Sequence, residues 1–345
     1  MPRIHFACFM VAAFAPAVGP AQPVAWKSLA PLPDPEGFAG SFAGVSRGTL
    51  LVAGGANFPG KKPWDGGQKV WTDSVFALDR PDGRWAAAGK LPRPLAYGVS
   101  VTYGDCVVCV GGCDAARHYA DAFRLEWATG KLAIAALPPL PRPIANACGA
   151  LVGTTLYVAG GQDRPDATAT LATLYALDLA DIKPSWRESP LPGGGRMLAV
   201  AAAFDGAFWL IGGVDLFAGA SGKAERRYLS DAFRYDPSRG WTRVAGLPRP
   251  VTAAPSPALA SAKGILVLGG DDGSQVGQAP DRHRGFTKVV LRYDASTNRW
   301  NDAGELPAPR VTVPCVRWGA SWVVPSGEMR PGVRSPEVWA FTPQE

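Results

Sequence analysis

The sequence predicts an all-β protein folded as a six-bladed β-propeller, and three observations lead to this prediction. A glycine pair ends a short apolar run five times, at Gly54-Gly55, Gly111-Gly112, Gly160-Gly161, Gly212-Gly213 and Gly269-Gly270. The spacings are 57, 49, 52 and 57 residues, and a further 57 residues lead to Ser326-Gly327. Each unit also contains four strand-like segments, which is the number of strands in a propeller blade.

The four segments of a unit have different patterns. The first is rich in small residues, as in 96–101, and suits an inner strand crowded around an axis. The second is an apolar run such as 50–53, which indicates a strand buried on both faces. The third alternates between polar and apolar residues, as in 231–236. The fourth carries a tryptophan and ends in Leu-Pro, except that Trp127 comes early and leaves the outer strand of the second unit poorly defined.

The last unit contains only three of these segments, at 311–318, 322–325 and 337–342. Residues 24–33 near the N-terminus have the tryptophan and the Leu-Pro of a missing fourth strand. Pairing the two ends would close the ring and remove two exposed strand edges. We therefore expect the last blade to be closed by the N-terminal strand, within one domain that covers residues 22–345.

Residues 1–21 have the pattern of a cleaved signal peptide. A basic start precedes an apolar run at 6–18, and small residues follow it. The run is too short to cross a bilayer, and no later segment reaches the required length of about 20 residues. The sequence therefore predicts an exported protein without a membrane span, located in the periplasm.

Composition and charge exclude several classes of function. The net charge is +6, but no lysine-rich or arginine-rich run or basic helix of the kind found in nucleic-acid-binding proteins is present. A small acidic ligand suits this modest excess better. The spacing Cys106-x-x-Cys109 resembles half of a redox or zinc site, yet it lies in a strand, where residues three apart face opposite sides. Buried apolar cysteines are the favoured interpretation.

Five arginines occur where the chain enters the first strand of a unit: Arg93, Arg142, Arg196, Arg249 and Arg310. In a propeller these entrances and the turns after the glycine pairs lie on one face, here called the mouth. A ring of guanidinium groups would bind a carboxylate, so Arg93, Arg142, Arg196 and Arg310 are candidate substrate ligands. The alternative is structural, because an arginine after proline can also bind backbone carbonyls between blades. The sequence leaves both open.

The stretch 326–334 departs from the repeat and is the candidate catalytic loop. It replaces the first glycine with Ser326 and adds Glu328 and Arg334. The loops at 56–72, 214–229 and 271–287 are long, whereas this one is short and contains Pro331-Gly332. A short turn of this kind holds its side chains in defined positions, as a catalytic carboxylate requires.

The glycine pairs, Tyr-Asp, Trp and Leu-Pro pattern over 24–342 resembles the kelch repeat. Residues 326–334 resemble the Asn-Gly-Glu-x-x-Pro-Gly-x-Arg element of bacterial N-acetylneuraminate epimerases, the kelch-type sialic acid mutarotases. The stretches 37–44, 53–58 and 96–100 agree with this family. Because the Glu328 unit comes last, the chain resembles the cyclically permuted branch of these mutarotases. Ser326 stands where the family has asparagine.

This resemblance implies an isomerase that interconverts the α and β anomers of N-acetylneuraminate by acid/base ring opening and closing. It assigns Glu328 as general base and Arg334 as its essential partner. It implies no metal and no cofactor, and the family's habit of dimerising suggests a homodimer.

Two other enzyme classes fit poorly. A copper oxidase requires imidazole ligands, and only His118 and His283 remain after the signal peptide. A sialidase would carry Asp-box repeats, which are absent. The remaining alternative is a non-catalytic exported kelch propeller that binds a glycan or protein partner, because one fold serves many functions.

Overall fold

A computed structural model describes residues 25–342 of the chain, so the predicted signal peptide lies outside the described residues. Six four-stranded antiparallel sheets form the six blades, as predicted. The helical content of this region is a single 3₁₀ turn, Pro63–Asp65. No helix within residues 25–342 is long and apolar enough to cross a membrane.

The strands are given from the axis outward. Blade 1 contains Phe42–Ser46, Thr49–Ala53, Ser74–Leu78 and Ala86–Lys90. Blade 2 contains Val99–Tyr103, Cys106–Val110, Ala122–Ala128 and Lys131–Leu137. Blade 3 contains Cys148–Val152, Thr155–Ala159, Thr173–Asp178 and Arg187–Pro190.

The second half of the ring follows the same order. Blade 4 contains Val200–Phe204, Ala207–Ile211, Ala232–Asp236 and Gly240–Val244. Blade 5 contains Leu259–Ser261, Gly264–Gly270, Thr287–Asp294 and Arg299–Glu305. Blade 6 contains Val316–Trp318, Ser321–Pro325, Val338–Phe341 and the N-terminal Trp26–Leu29.

The predicted closure of the ring is confirmed. Trp26–Leu29 pairs antiparallel with Val338–Phe341, with Trp26 opposite Phe341 and Leu29 opposite Val338. The uncertain outer strand of blade 2 also exists: Lys131–Leu137 pairs with Ala122–Ala128 along its whole length. Trp127 belongs to the third strand of that blade, which explains its early position in the repeat.

The hydrophobic core lies between the blades rather than at the axis. Six clusters of buried side chains each join two adjacent sheets, such as the cluster of Phe42, Leu51 and Leu125 between blades 1 and 2. The outer-strand tryptophans add polar links between blades. Trp85 donates its indole N–H to Ala30 O at 2.8 Å, and Trp186, Trp241 and Trp300 make the equivalent bond.

A ring of backbone hydrogen bonds encircles the axis near the mouth. Each blade contributes one residue in the left-handed conformation, with φ between 52° and 70°: Gly40, Tyr97, Asn146, Leu198, Ala253 and Thr312. The N–H of each donates to the carbonyl of the preceding member at 2.6 to 2.8 Å, and Gly40 donates to Thr312. Left-handed backbone costs about 1 kcal/mol or more at a non-glycine residue, so the surrounding packing must impose it at five positions.

The interpretation of the cysteines as buried thiols is confirmed for the described residues. Cys106, Cys109, Cys113, Cys148 and Cys315 are all buried and unpaired. Cys106 packs between blades 2 and 3, whereas Cys109 packs between blades 1 and 2, as strand alternation requires. Burial raises the pKa of Cys113 to about 11 and that of Cys148 and Cys315 to about 12.

These thiols are expected to be unreactive in the folded protein. At pH 8 a thiol with a pKa of about 11 is ionised to about one part in a thousand, and the thiolate is the reactive form. In a chain that begins at residue 22, no thiol should react with an aromatic disulfide reagent before unfolding, and all five should react afterwards. Rapid reaction of a native thiol would contradict this placement.

Candidate functional site

The mouth is built from the residue that follows each glycine pair. In every blade this residue forms a bridge with the residue before the left-handed position: Ala39 with Ala56, Ala96 with Cys113, Ala145 with Gln162, Met197 with Val214, Thr252 with Asp271, and Val311 with Glu328. Six equivalent positions therefore surround the axis. Only Asp271 and Glu328 are acidic among them, and they belong to neighbouring blades.

Glu328 lies at the start of a tight hairpin in which Glu328–Arg330 pairs with Val333–Arg334. Its Oε1 accepts the Gly332 N–H at 2.9 Å and lies 3.0 Å from Arg334 Nη1. The side chain is 13% exposed, so the carboxylate is held by two contacts yet remains accessible. The predicted rigidity of this short loop agrees with these contacts.

The hairpin is clamped between the loops of two other blades. Gly332 has a φ of 82°, and a Cβ there would come within 2.7 Å of Pro63 Cγ, so only glycine fits. Arg330 places its guanidinium 5.0 Å from the ring of Trp64 and donates to Asp281 O at 3.0 Å. The position of Glu328 is thus fixed from both sides.

Arg334 is buried, with 4% of its side chain exposed. Its guanidinium lies 4.7 Å from the ring centre of Phe58. The contact with Glu328 is a charge contact rather than an aligned hydrogen bond, because Nε and Nη1 are buried without a hydrogen-bond partner. Because Arg334 also lines a cavity next to Glu328, its positive charge can attract an anion bound there.

Glu328 lies where two cavities of the mouth meet. One, of about 340 Å³, is lined by Phe58, Lys69, Tyr97, Cys113, Asn146, Leu198, Thr312, Glu328, Pro331, Gly332 and Arg334. The other, of about 310 Å³, shares Leu198, Thr312, Glu328 and Pro331 with the first, and adds Tyr228, Asp271, Gln275 and His283. The site can therefore accommodate a ligand that extends to both sides of the carboxylate.

The second cavity holds further groups capable of proton transfer and hydrogen bonding. Tyr228 donates its hydroxyl to Asp271 Oδ2 at 3.0 Å, and Gly273 N–H donates to Asp271 Oδ1 at 2.9 Å. Burial lowers the pKa of His283, which favours the neutral ring at physiological pH. Since His283 Nδ1 accepts the Gly285 N–H at 3.1 Å, the proton of the neutral ring is on Nε2.

Ser326 takes the left-handed conformation that the first glycine has elsewhere, with a φ of 78°. Its buried hydroxyl accepts the Phe38 N–H at 2.7 Å and contacts Phe38 O at 3.0 Å and Ser335 O at 2.7 Å. These partners are all backbone groups. Ser326 therefore fixes the base of the hairpin to the segment before blade 1 instead of binding Glu328.

Two of the candidate arginine ligands have structural contacts. Arg196 is fully buried, pairs with Asp231 at 2.7 Å and donates to Gly212 O at 3.0 Å. Arg310 is 1% exposed and binds Ser335 Oγ at 3.0 Å together with the Glu337 carboxylate. These contacts assign both residues the structural role between chain segments, and we do not retain them as substrate ligands.

The other candidate arginines also lie away from the two cavities. Arg93 pairs with Asp121 at 3.1 Å and lies over the Tyr119 ring, and Arg142 is exposed. Arg249 donates to Val289 O at 3.1 Å. Neither Arg93 nor Arg142 lines the cavities beside Glu328. Arg334, in contrast, does line the cavity next to Glu328.

Several residues of the site were not singled out from the sequence. Asp271 could have been found, because it follows its glycine pair directly and so occupies the position of Glu328 in the preceding repeat. Lys69 and Tyr228 belong to long loops without a repeating pattern, so no sequence feature marked them.

Comparison with known proteins agrees with the predicted resemblance over part of the chain. Residues 16–134 match the family model NANM: N-acetylneuraminate epimerase. The N-acetylneuraminate epimerase of Yersinia pestis (strain Pestoides F) is 45% identical over 109 residues, which are 29% of this chain and 27% of the relative. That of Salmonella enteritidis PT4 (strain P125109) is 49% identical over 86 residues, 22% of each chain.

The alignments thus span about a quarter of the length of these curated relatives. The family match at residues 16–134 includes the stretches 37–44, 53–58 and 96–100, whereas 326–334 lies beyond it. A solved structure described as "Structure of YjhT" has 14% sequence identity and a TM-score of 0.61, and the match covers 77% of this chain and 84% of that one. This similarity supports the propeller fold.

Proposed function

We propose that this protein is a mutarotase that interconverts the α and β anomers of N-acetylneuraminate. The observation that carries the proposal is the Glu328–Arg334 contact of 3.0 Å at the junction of the two mouth cavities. Further support comes from the partial match to N-acetylneuraminate epimerases, which covers blade 1 and most of blade 2.

The proposed reaction begins when the Glu328 carboxylate removes the proton from the anomeric hydroxyl. The bond between the anomeric carbon and the ring oxygen breaks, its electron pair goes to the ring oxygen, and a proton is delivered there through a positioned water. A carbonyl forms at the anomeric carbon. Rotation about the adjacent carbon bond exposes its other face, and the reverse proton transfers close the ring as the opposite anomer.

Arg334 would bind the substrate carboxylate next to this carbon. Arg334 lines the same cavity as Glu328, so its positive charge is available to the substrate carboxylate there. The reaction changes no oxidation state, so the residues need supply only proton transfer and charge. We also propose that it takes place in the periplasm, after export directed by residues 1–21.

The direct experiment starts from a single anomer. A sialidase releases one anomer of N-acetylneuraminate from a sialoside, and proton NMR follows its equilibration with the other. Addition of the purified protein in catalytic amount should accelerate the equilibration well beyond the spontaneous rate. If the wild-type protein leaves the spontaneous rate unchanged, the proposal is wrong.

A further inference from the structure

We propose that Lys69 forms, with Arg334, the subsite that binds the substrate carboxylate, and that this cation makes the protein selective for 2-keto sugar acids over neutral sugars. The inference deepens the proposed function and rests on it for the identity of the substrate. It assigns a role to a residue of the long blade 1 loop.

The position of Lys69 is fixed by two aromatic rings. It precedes the short strand Val70–Trp71, which pairs with Ala56–Asn57 next to blade 1. Its Nζ lies 4.7 Å from the ring centre of Trp71 and 4.3 Å from that of Tyr97. Aromatic faces stabilise an ammonium group through their quadrupoles without neutralising its charge.

Two other basic side chains on the mouth loops have carboxylate partners, which Lys69 does not have among the described residues. Lys62 pairs with Glu36, and Arg227 lies 2.6 Å from Asp215. In the part of the chain that the structure describes, no carboxylate lies within 4.0 Å of Lys69 Nζ. Its charge is therefore available to an anionic ligand.

Lys69 lines the same cavity as Glu328 and Arg334. These three are the charged residues among those that line this cavity, two cations against one carboxylate. Because Glu328 already contacts Arg334, one positive charge is left uncompensated. Binding of a ligand with one carboxylate would neutralise this excess positive charge of the cavity lining.

The chemistry of the substrate requires a cation at this place. In a 2-keto sugar acid the anomeric carbon carries both the carboxylate and the hydroxyl that Glu328 must deprotonate. The carboxylate subsite must therefore lie beside Glu328, where Lys69 and Arg334 are found. In a neutral aldose the same carbon carries hydrogen, and the excess positive charge would remain uncompensated.

The experiment measures binding separately from catalysis. Isothermal titration calorimetry compares N-acetylneuraminate with its uncharged methyl ester on wild type, Lys69→Gln and the control Lys61→Gln. Lys61 is an exposed lysine of the same loop and lies outside both cavities, so its substitution changes the net charge equally. Near-UV circular dichroism verifies that each variant is folded.

We expect Lys69→Gln to weaken binding of the acid about 10- to 100-fold, the usual effect of losing one hydrogen bond to a charged group. Lys61→Gln should stay within about twofold of wild type, since an exposed charge has little effect. The preference of wild type for the acid over the ester should shrink in Lys69→Gln, and Lys69→Arg should restore most of it.

Two results for Lys69→Gln would overturn the inference: unchanged affinity for the acid, or an equal loss of affinity for acid and ester. Wild type that binds neither ligand overturns it as well. Wild type that binds the acid but does not accelerate anomer exchange refutes the proposed function alone, and the role of Lys69 is then decided by the binding data.

Discussion

Replacing Glu328 with glutamine is expected to slow catalysed anomer exchange by about 10²- to 10⁴-fold, the usual contribution of a positioned general base. The amide has nearly the shape of the carboxylate, and its oxygen can still accept the Gly332 N–H that Glu328 accepts at 2.9 Å. It cannot take a proton from the anomeric hydroxyl. Proton NMR of a freshly released anomer measures the rate, and calorimetry should show that the ligand still binds.

Two further variants separate this loss from misfolding. Glu328→Asp keeps a charge beside the buried Arg334 and should retain part of the activity with near-native stability. Glu225→Gln removes an exposed carboxylate from another mouth hairpin and should be fully active. A folded Glu328→Gln protein with the wild-type rate would exclude Glu328 as the base.

Arg196→Ala is expected to lower the free energy of unfolding by about 3–5 kcal/mol, the effect of breaking a buried ion pair. The substitution leaves Asp231 without the guanidinium at 2.7 Å and removes the donor to Gly212 O. It also leaves a cavity, because Arg196 is among the largest fully buried side chains. Urea denaturation followed by tryptophan fluorescence measures the change.

Arg142→Ala is the matched control, because Arg142 occupies the same entrance in the preceding unit but is exposed. Its effect should be within about 0.5 kcal/mol. Affinity for N-acetylneuraminate should be unchanged in both folded variants. An Arg196→Ala protein that is as stable as wild type but has lost ligand binding would reinstate the substrate-binding role for this arginine.

The repeat pattern was sufficient to predict the blades, because the constraints that build a blade are local. Gly54 illustrates this, since its φ is 63° and a Cβ there would come within 2.2 Å of Leu95 O. The sequence also showed that the last unit lacks a fourth strand and that an extra strand lies near Trp26. Packing that repeats in every blade thus requires similar residues at regular intervals in the sequence.

The side-chain contacts of the site do not repeat from blade to blade, so no periodic pattern in the sequence reveals them. The sequence made both Arg196 and Arg334 candidates for the site, but only the structure shows that Arg196 pairs with Asp231 and that Arg334 lines the cavity of Glu328. Lys69 reaches the cavity because its loop folds over Tyr97 of the next blade. A contact of this kind depends on loop conformation, which sequence periodicity does not encode.

The ring of six backbone hydrogen bonds around the axis cannot be completed until every blade is in place. Only backbone atoms take part in this ring, so its hydrogen bonds do not depend on the side chains of its members. The side chains of Tyr97, Asn146, Leu198 and Thr312 line the cavities instead. The same residues therefore serve ring stability and ligand binding through different atoms. Their main chains maintain the ring, while their side chains can change to admit a different ligand.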